Sequence, residues 1–274
     1  MMSPYSVLMS VYIKENPQYL AAAIDSMLGQ TVKPSDFVLV CDGPLTDELN
    51  QVIEGFLRNY PSLFQVVRLN QNQGLGIALN VGLEACKYEI VARMDTDDVA
   101  LPERMSWQIS TLENCPDLSA VGGQIQEFYL EEGNERGRRL VPTTPETVRK
   151  MAAKRNPMNH MTVTFRKSDV IAAGSYQHFD KFEDYYLWAR MLAAGMRLTN
   201  VNQICVHVRV NDDMYRRRSG WKYFLQTVQL EKYLKSRGLS TTSQFVQNIL
   251  TRFCGTVLVP NCVRQYLYRA VLRK

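Results

Sequence analysis

Glu89-Ile-Val-Ala-Arg-Met-Asp-Thr-Asp-Asp98 decides the fold: a short apolar run that ends in three carboxylates. Three more runs of strand length precede it, at Ser6–Val11, Phe37–Cys41 and Phe64–Leu69. Between them the apolar period changes from continuous to helical. Leu20, Ala23, Ile24, Met27 and Leu28 fall on one helical face, as do Leu49, Val52, Ile53, Phe56 and Leu57, and a third helix is predicted over Leu75–Cys86. Asn16 with Pro17 reads as a helix start, and Thr46 opens the second helix. Strands alternating with amphipathic helices predict an α/β fold whose parallel sheet is covered on both faces. Ligands of such sheets bind at the carboxyl ends of the strands, so the residues after each strand carry the functional information.

Beyond Asp98 the pattern predicts a helix from Pro102 to about Asn114, a strand near Ser119–Tyr129 and a charged turn over 131–139. A strand at Met161–Arg166, a helix over Glu183–Ala194 stopped by Gly195, and a late strand at Gln203–Val210 follow. From Trp221 onward the chain reads as helical, and no internal repeat is visible.

With 274 residues, 46% hydrophobic and 22% charged, the composition excludes disorder and small disulfide scaffolds. The six cysteines are scattered, most inside apolar runs, with no CxxC pair; buried thiols in a reducing compartment are expected, without structural zinc. No signal peptide and no membrane-spanning run is visible, which predicts a cytoplasmic chain. The net charge of +5 is unevenly placed: residues 214–274 hold 12 Lys/Arg against Glu231 alone, leaving the preceding body acidic. Such a tail suits an anionic partner, nucleic acid or a membrane surface.

The acidic cluster is the strongest local signal. Asp95 and Asp97 are hard oxygen donors suited to Mg²⁺ or Mn²⁺, although a solvated acidic turn before a helix reads equally well from these residues alone. Position adds weight, because Tyr12 and Glu15 follow the first strand and Asp42-Gly43 the second. Asn70-Gln-Asn-Gln-Gly74-Leu-Gly76 fails as a dinucleotide fingerprint, since Leu79 stands at the third glycine position, and no P-loop sequence exists.

Together these segments resemble glycosyltransferase family 2. Ser10-Val-Tyr12 with Glu15, Asp42-Gly43, Asn72-x-Gly74 with Asn80, Arg93-Met-Asp-Thr-Asp-Asp98 and Glu183-Asp184 stand in that family's order, over roughly residues 5–215. The resemblance is nearest to bacterial O-antigen, capsule and exopolysaccharide enzymes of the amylovoran type. It implies the GT-A fold, a Rossmann-like, mostly parallel sheet flanked by helices, and an inverting reaction dependent on Mn²⁺ or Mg²⁺. It also implies a nucleotide-binding half over 1–100 and an acceptor half over 101–215, while charge and apolar pattern make 216–274 a basic amphipathic helical tail. By the same resemblance Tyr12, Glu15, Asp42, Asn72 and Asn80 bind the nucleotide sugar, Asp95 lies near ribose and metal, Asp97 binds the metal, and Asp98 organises the loop. Asp184, within Phe182-Glu-Asp-Tyr-Tyr-Leu-Trp-Ala-Arg190, matches the catalytic base. An inverting transfer needs one such carboxylate beside the acceptor hydroxyl, opposite the leaving diphosphate. Acids enriched at a helix start are the alternative reading of Glu183-Asp184.

His160, Glu183, Arg217 and Arg218 are candidate donor or acceptor contacts; a structural histidine, a helix cap and a solvated basic turn are their alternatives. His207 and His178 read as structural and surface residues. In the tail, Phe245, Val246, Ile249, Leu250, Phe253, Cys254, Val257 and Leu258 form one apolar stripe, and a second follows Pro260. Apolar stripes flanked by arginines suit an interfacial helix on anionic lipid, against the alternative of a terminal helix packed on the core. The expected reaction moves a hexose or N-acetylhexosamine from a UDP-sugar to a lipid-diphosphate-linked saccharide at the inner membrane surface, with no nucleic acid partner. Two rivals are a sugar-1-phosphate nucleotidyltransferase and an RNA-binding module. The first should open with a glycine-rich phosphate loop, yet Ser6–Asn16 holds no glycine; the second leaves the acidic strand ends unexplained.

Overall fold

The computed structural model describes residues 2–129, 133–210 and 220–258. Four strands, β1 (Tyr5–Val11), β2 (Asp36–Cys41), β3 (Phe64–Arg68) and β4 (Ile90–Arg93), alternate with three helices, α1 (Pro17–Leu28), α2 (Asp47–Asn59) and α3 (Leu75–Ala85). The caps are those expected: Asn16 accepts from the Gln18 and Tyr19 amides, and Thr46 from the Leu49 amide. The strands pair in parallel in the order β3-β2-β1-β4. The chain moves outward from β1 to β3 and then returns to β4 on the other side. The β1/β4 boundary is therefore a topological switch point, where a crevice opens at the carboxyl edge.

The second half extends this sheet with mixed pairing. After the two-residue strand β5 (Val99–Ala100) come α4 (Arg104–Asn114), β6 (Leu118–Tyr129), β7 (Glu135–Arg139), α5 (Pro145–Ala152), β8 (Thr164–Arg166), α6 (Lys167–Ala172), α7 (Glu183–Ala193) and β9 (Arg197–Val210). The expected parallel pairing recurs in β6 with β9, whereas β8, β5 and β7 join antiparallel. Residues 135–139, expected within a charged turn, instead form the edge strand β7 on β6. An edge strand satisfies its backbone on one side while its arginines stay in water, so charge did not preclude pairing. The strand expected from Met161 starts at Thr164, after a single 3₁₀ turn over His160–Thr162, and the late strand begins six residues early, at Arg197. Helices α8 (Gly220–Ser236) and α9 (Thr242–Phe253) follow, and a π-helical turn over Cys254–Leu258 completes the described chain. The expected boundary at 215/216, Arg217, Arg218 and the stripe after Pro260 lie outside the described residues.

The sheet divides the core into two apolar layers. Leu20, Ile24 and Met27 of α1, with Met105 and Ile109 of α4, pack on one face; Leu79 and Leu83 of α3, with Leu187 and Trp188 of α7, pack on the other. Helix α3 lies so close to β1 and β2 that a Cβ on Gly82 would stand 2.4 Å from Leu8 Cδ1 and 2.6 Å from Val40 Cγ2. This contact seats α3 directly on the sheet. Cys41, Cys86 and Cys205 are buried, and burial pushes the last two thiols up to about 12, while Cys115 and Cys254 are exposed. No described helix is long and apolar enough to cross a membrane.

Candidate active site

One side of the crevice is built by backbone turns tied to one another. Asp42, buried just after β2, accepts from the Gln73 amide (2.7 Å) and the Gly74 amide (3.0 Å), and its carbonyl accepts from Asn72 Nδ2 (3.2 Å). Gly43 has φ +89°, and a Cβ there would lie 2.6 Å from the Asn72 nitrogen, so only glycine lets the two loops approach this closely. After β1 the Glu15 amide donates to the Tyr12 carbonyl (3.0 Å), turning both half-buried side chains into the same edge loop. Asn80, one turn into α3, brackets Tyr176: Nδ2 donates to its carbonyl (2.6 Å) and Oδ1 accepts from its amide (2.8 Å).

The acidic loop follows β4 directly. Asp98 is buried and accepts from the Arg209 amide (2.9 Å), while Arg209 Nε donates to the Asp97 carbonyl (3.2 Å). The Arg209 guanidinium lies over the rings of Tyr19 (3.7 Å) and Phe128 (4.6 Å), so the late strand clamps the loop. Burial, reinforced by Asp95, pushes the Asp97 carboxyl up to about 6; burial and then Asp97 push Asp98 up as well. Asp95 forms an ion pair with Arg93, whose guanidinium is buried and whose Nε and Nη1 have no hydrogen-bond partner among the described residues. Burial pulls the Arg93 guanidinium toward neutrality, and Asp95, with Tyr176 and Asp98 behind it, more than offsets that pull. Below, Arg104 donates to the Arg93 carbonyl (2.7 Å) and to Gln108 Oε1 (3.1 Å), bracing the strand end from the core.

Asp95 and Asp97, two residues apart at the end of β4, are hard oxygen donors of the kind a divalent cation takes. Among the described residues no group of three or more His, Cys, Asp or Glu is arranged for a metal. The set therefore fits an ion such as Mg²⁺ or Mn²⁺ that takes most of its oxygens from phosphates and water. His207 lies on β9 in register with Val99.

Across the crevice, α7 begins with Glu183 and Asp184. Asp184 Oδ2 accepts from Asn156 Nδ2 at 2.6 Å. Burial raises the Asp184 carboxyl above its ordinary value, against the Tyr185 amide, Asn156, Arg139 and Arg93, which favour its charged form. Glu183 is raised by burial too, and its Cγ lies 3.7 Å from where a Cβ on Gly76 would stand, so α7 starts against the start of α3. His160 Nε2 meets the Tyr176 hydroxyl (3.1 Å) and its ring sits edge-on to Trp188. Burial, then Arg93, holds His160 well below its ordinary value, so it is a neutral hydrogen-bonding ring.

Arg93 joins the two sides. Its charge acts on Asp97 and Asp98 in the acidic loop and on His160 and Asp184 opposite them. Asp95, Asp97, His160, Glu183 and Asp184 thus converge, while Asp42 and Asn72 shape the adjoining wall. Sequence reading quoted Arg93 only as part of a motif and assigned no role to Asn156, Tyr176 or Arg209. Their roles depend on partners tens of residues away, and the Arg-Met-Asp and Asn-Pro sequences were the available signals.

The fold and this edge define a GT-A protein, a class built to hold a nucleotide-diphospho-sugar at the switch point. The model of Glycosyl transferase family 2 matches residues 6–185, and the chain belongs to that family. It is 41% identical over 268 residues to the amylovoran biosynthesis glycosyltransferase AmsE of Erwinia amylovora, covering 96% of this chain and 97% of the relative. It is 32% identical over 270 residues to an Escherichia coli UDP-Gal:alpha-D-GlcNAc-diphosphoundecaprenol beta-1,3-galactosyltransferase, covering 98% and 97%. Among solved structures, S. aureus TarS 1–349 in complex with UDP-GlcNAc superposes with a TM-score of 0.69 at 17% identity, over 99% of this chain and 76% of TarS.

Proposed function

We propose that this glycosyltransferase moves a hexose or N-acetylhexosamine from a UDP-sugar, with inversion, onto a lipid-diphosphate-linked saccharide in bacterial surface polysaccharide assembly. The observation that carries the reading is the opposition, across one crevice, of the Asp95/Asp97 pair and the half-buried Asp184. The printed activity of the E. coli relative supports the UDP donor and the lipid-diphosphate acceptor, and the amylovoran relative supports the polysaccharide setting.

In this reading Tyr12, Glu15, Asp42, Asn72 and Asn80 line the nucleoside pocket, with Asp95 beside the ribose. Asp95 and Asp97 would hold Mn²⁺ or Mg²⁺, which supplies charge neutralisation for the departing diphosphate. Asp184 takes the proton of the acceptor hydroxyl as that oxygen bonds to the anomeric carbon, and the bond from that carbon to the diphosphate oxygen breaks on the opposite face. A carboxyl raised by burial binds the proton more strongly than an exposed one, which suits a general base near neutral pH. In the same reading His160 and Glu183 contact hydroxyls of the donor or the acceptor. Residues 216–274, with the exposed faces of α8 and α9, would hold the enzyme to the inner face of the cytoplasmic membrane.

Incubation with UDP-sugars, Mn²⁺ and a GlcNAc-diphosphate-lipid tests this directly. UDP release with a lengthened lipid-linked product is expected; pyrophosphate release from UTP and a sugar phosphate would support nucleotidyl transfer instead. Asp184→Asn is expected to lose about 10²–10⁴-fold in turnover while still binding UDP. Retention of most turnover by that variant would remove Asp184 from the role of base.

A further inference from the structure

We infer that Asn156 is a positioning residue that aims the Asp184 carboxylate, an inference resting on the reading of Asp184 as base. Asn156 Nδ2 donates to Asp184 Oδ2 at 2.6 Å, which fixes the orientation of the carboxylate at the start of α7. Its amide is itself held at the other end, because Oδ1 accepts from the Met158 amide at 3.2 Å. The backbone is held as well. Arg139 Nη2 of β7 donates to the Asn156 carbonyl at 2.8 Å, and Asn200 Nδ2 of β9 donates to the Pro157 carbonyl at 3.2 Å. Pro157 restricts the residue before it to extended conformations, so few arrangements of Asn156 remain open. A base held this way needs no reorientation when the acceptor arrives, which is how outer residues contribute to rate.

The groups that face Asp184 are Glu183 and Tyr185 on its own helix, with Arg93, Arg139, Tyr176 and Asn156 from the elements packed against it. Removing the Asn156 donor takes away one hydrogen bond to the charged form, which raises the proton affinity of Asp184 further.

The test is steady-state kinetics of Asn156→Ala with a UDP-sugar and a GlcNAc-diphosphate-lipid across pH. Turnover is expected to fall roughly 10- to 100-fold, with the acid limb of the kcat profile moved to higher pH. The KM for the UDP-sugar and the UDP-induced rise in Tm should stay as in the parent. Unchanged kcat overturns the proposal; so does a lower kcat with an unmoved acid limb, or a matching loss of UDP stabilisation, since each marks a structural contact only. If Asn156→Ala does not fold, Asn156→Ser, whose hydroxyl is too short to reach Asp184, is held to the same outcomes. Failure of both variants to fold assigns Asn156 to the fold and overturns the proposal. Asp184→Asn separates the two claims: if it turns over normally the base reading fails, whereas an inactive Asp184→Asn beside a fully active Asn156→Ala sinks the positioning role alone.

Discussion

A carboxylate buried beside another carboxylate resists ionisation, and Asp97 is in that position. Its proton affinity rises from the ordinary 3.8 to about 6, first from burial and then from Asp95. The folded, metal-free chain therefore holds that proton more tightly than the unfolded chain does. This contribution to stability is present at low pH, declines as pH rises toward 6, and is absent above it. Asp97→Asn is expected to raise the Tm of the metal-free protein at pH 7.5 by a few degrees, worth about 1–2 kcal/mol, while removing any metal-dependent stabilisation by UDP. An unchanged or lower Tm in calorimetry without metal would count against a strained carboxylate pair. At this scale the site was legible wherever one short segment carried its own signal, as in Arg93-Met-Asp-Thr-Asp-Asp98 and Glu183-Asp184. It was illegible where a role arises between segments. Nothing near Tyr176 in sequence announces that Asn80 grips its backbone and His160 its hydroxyl.

Elements with continuous apolar runs or a clear helical stripe were legible, which covers β1 to β4 and α1 to α3. Those defined by pairing were not. Strand β7 is polar throughout and exists because β6 offers it an edge, and α5 escaped notice despite the Thr144-Pro145 start that its capping box uses. Helix α9 shows how packing divides a stripe. Phe253 turns in against Trp221 and Phe224, while Asn248 bonds to Glu231 of α8 and to the Ala153 carbonyl. Val246 and Leu250 of the same stripe stay 49% and 60% exposed, beside Trp221 at 56% and Leu225 at 47% on α8. Glu231, the one acid in these two helices, is buried, so their outward charge comes from lysine and arginine. Apolar side chains set among cations suit anionic lipid. Changing Trp221 and Leu250 together to Glu is expected to cut co-sedimentation with phosphatidylglycerol vesicles while leaving turnover on a soluble acceptor analogue unchanged. Undiminished co-sedimentation would remove these helices from the membrane contact.

Over the whole molecule, the parallel half and the mixed half meet where β8 joins β4, and each supplies one side of the candidate site. The first brings Asp42 and the acidic loop, the second Asp184 and its clamp, and Arg93 lies between them. The acidic body and basic tail divide the chain by charge as well, with Asp95, Asp97 and Asp184 in the body and the basic excess in the tail. The central claim is that this crevice holds a uridine diphosphate through a divalent cation on Asp97. A thermal-shift titration with UDP, GDP, CDP and UTP, each with and without Mn²⁺, tests it most directly. A ligand at about 100 times its dissociation constant adds about 2.7 kcal/mol, a shift easily resolved. The expected result is a rise in Tm specific to UDP, dependent on Mn²⁺ and absent in Asp97→Ala. A rise with GDP alone would replace the donor, and no rise with any nucleotide would contradict the account.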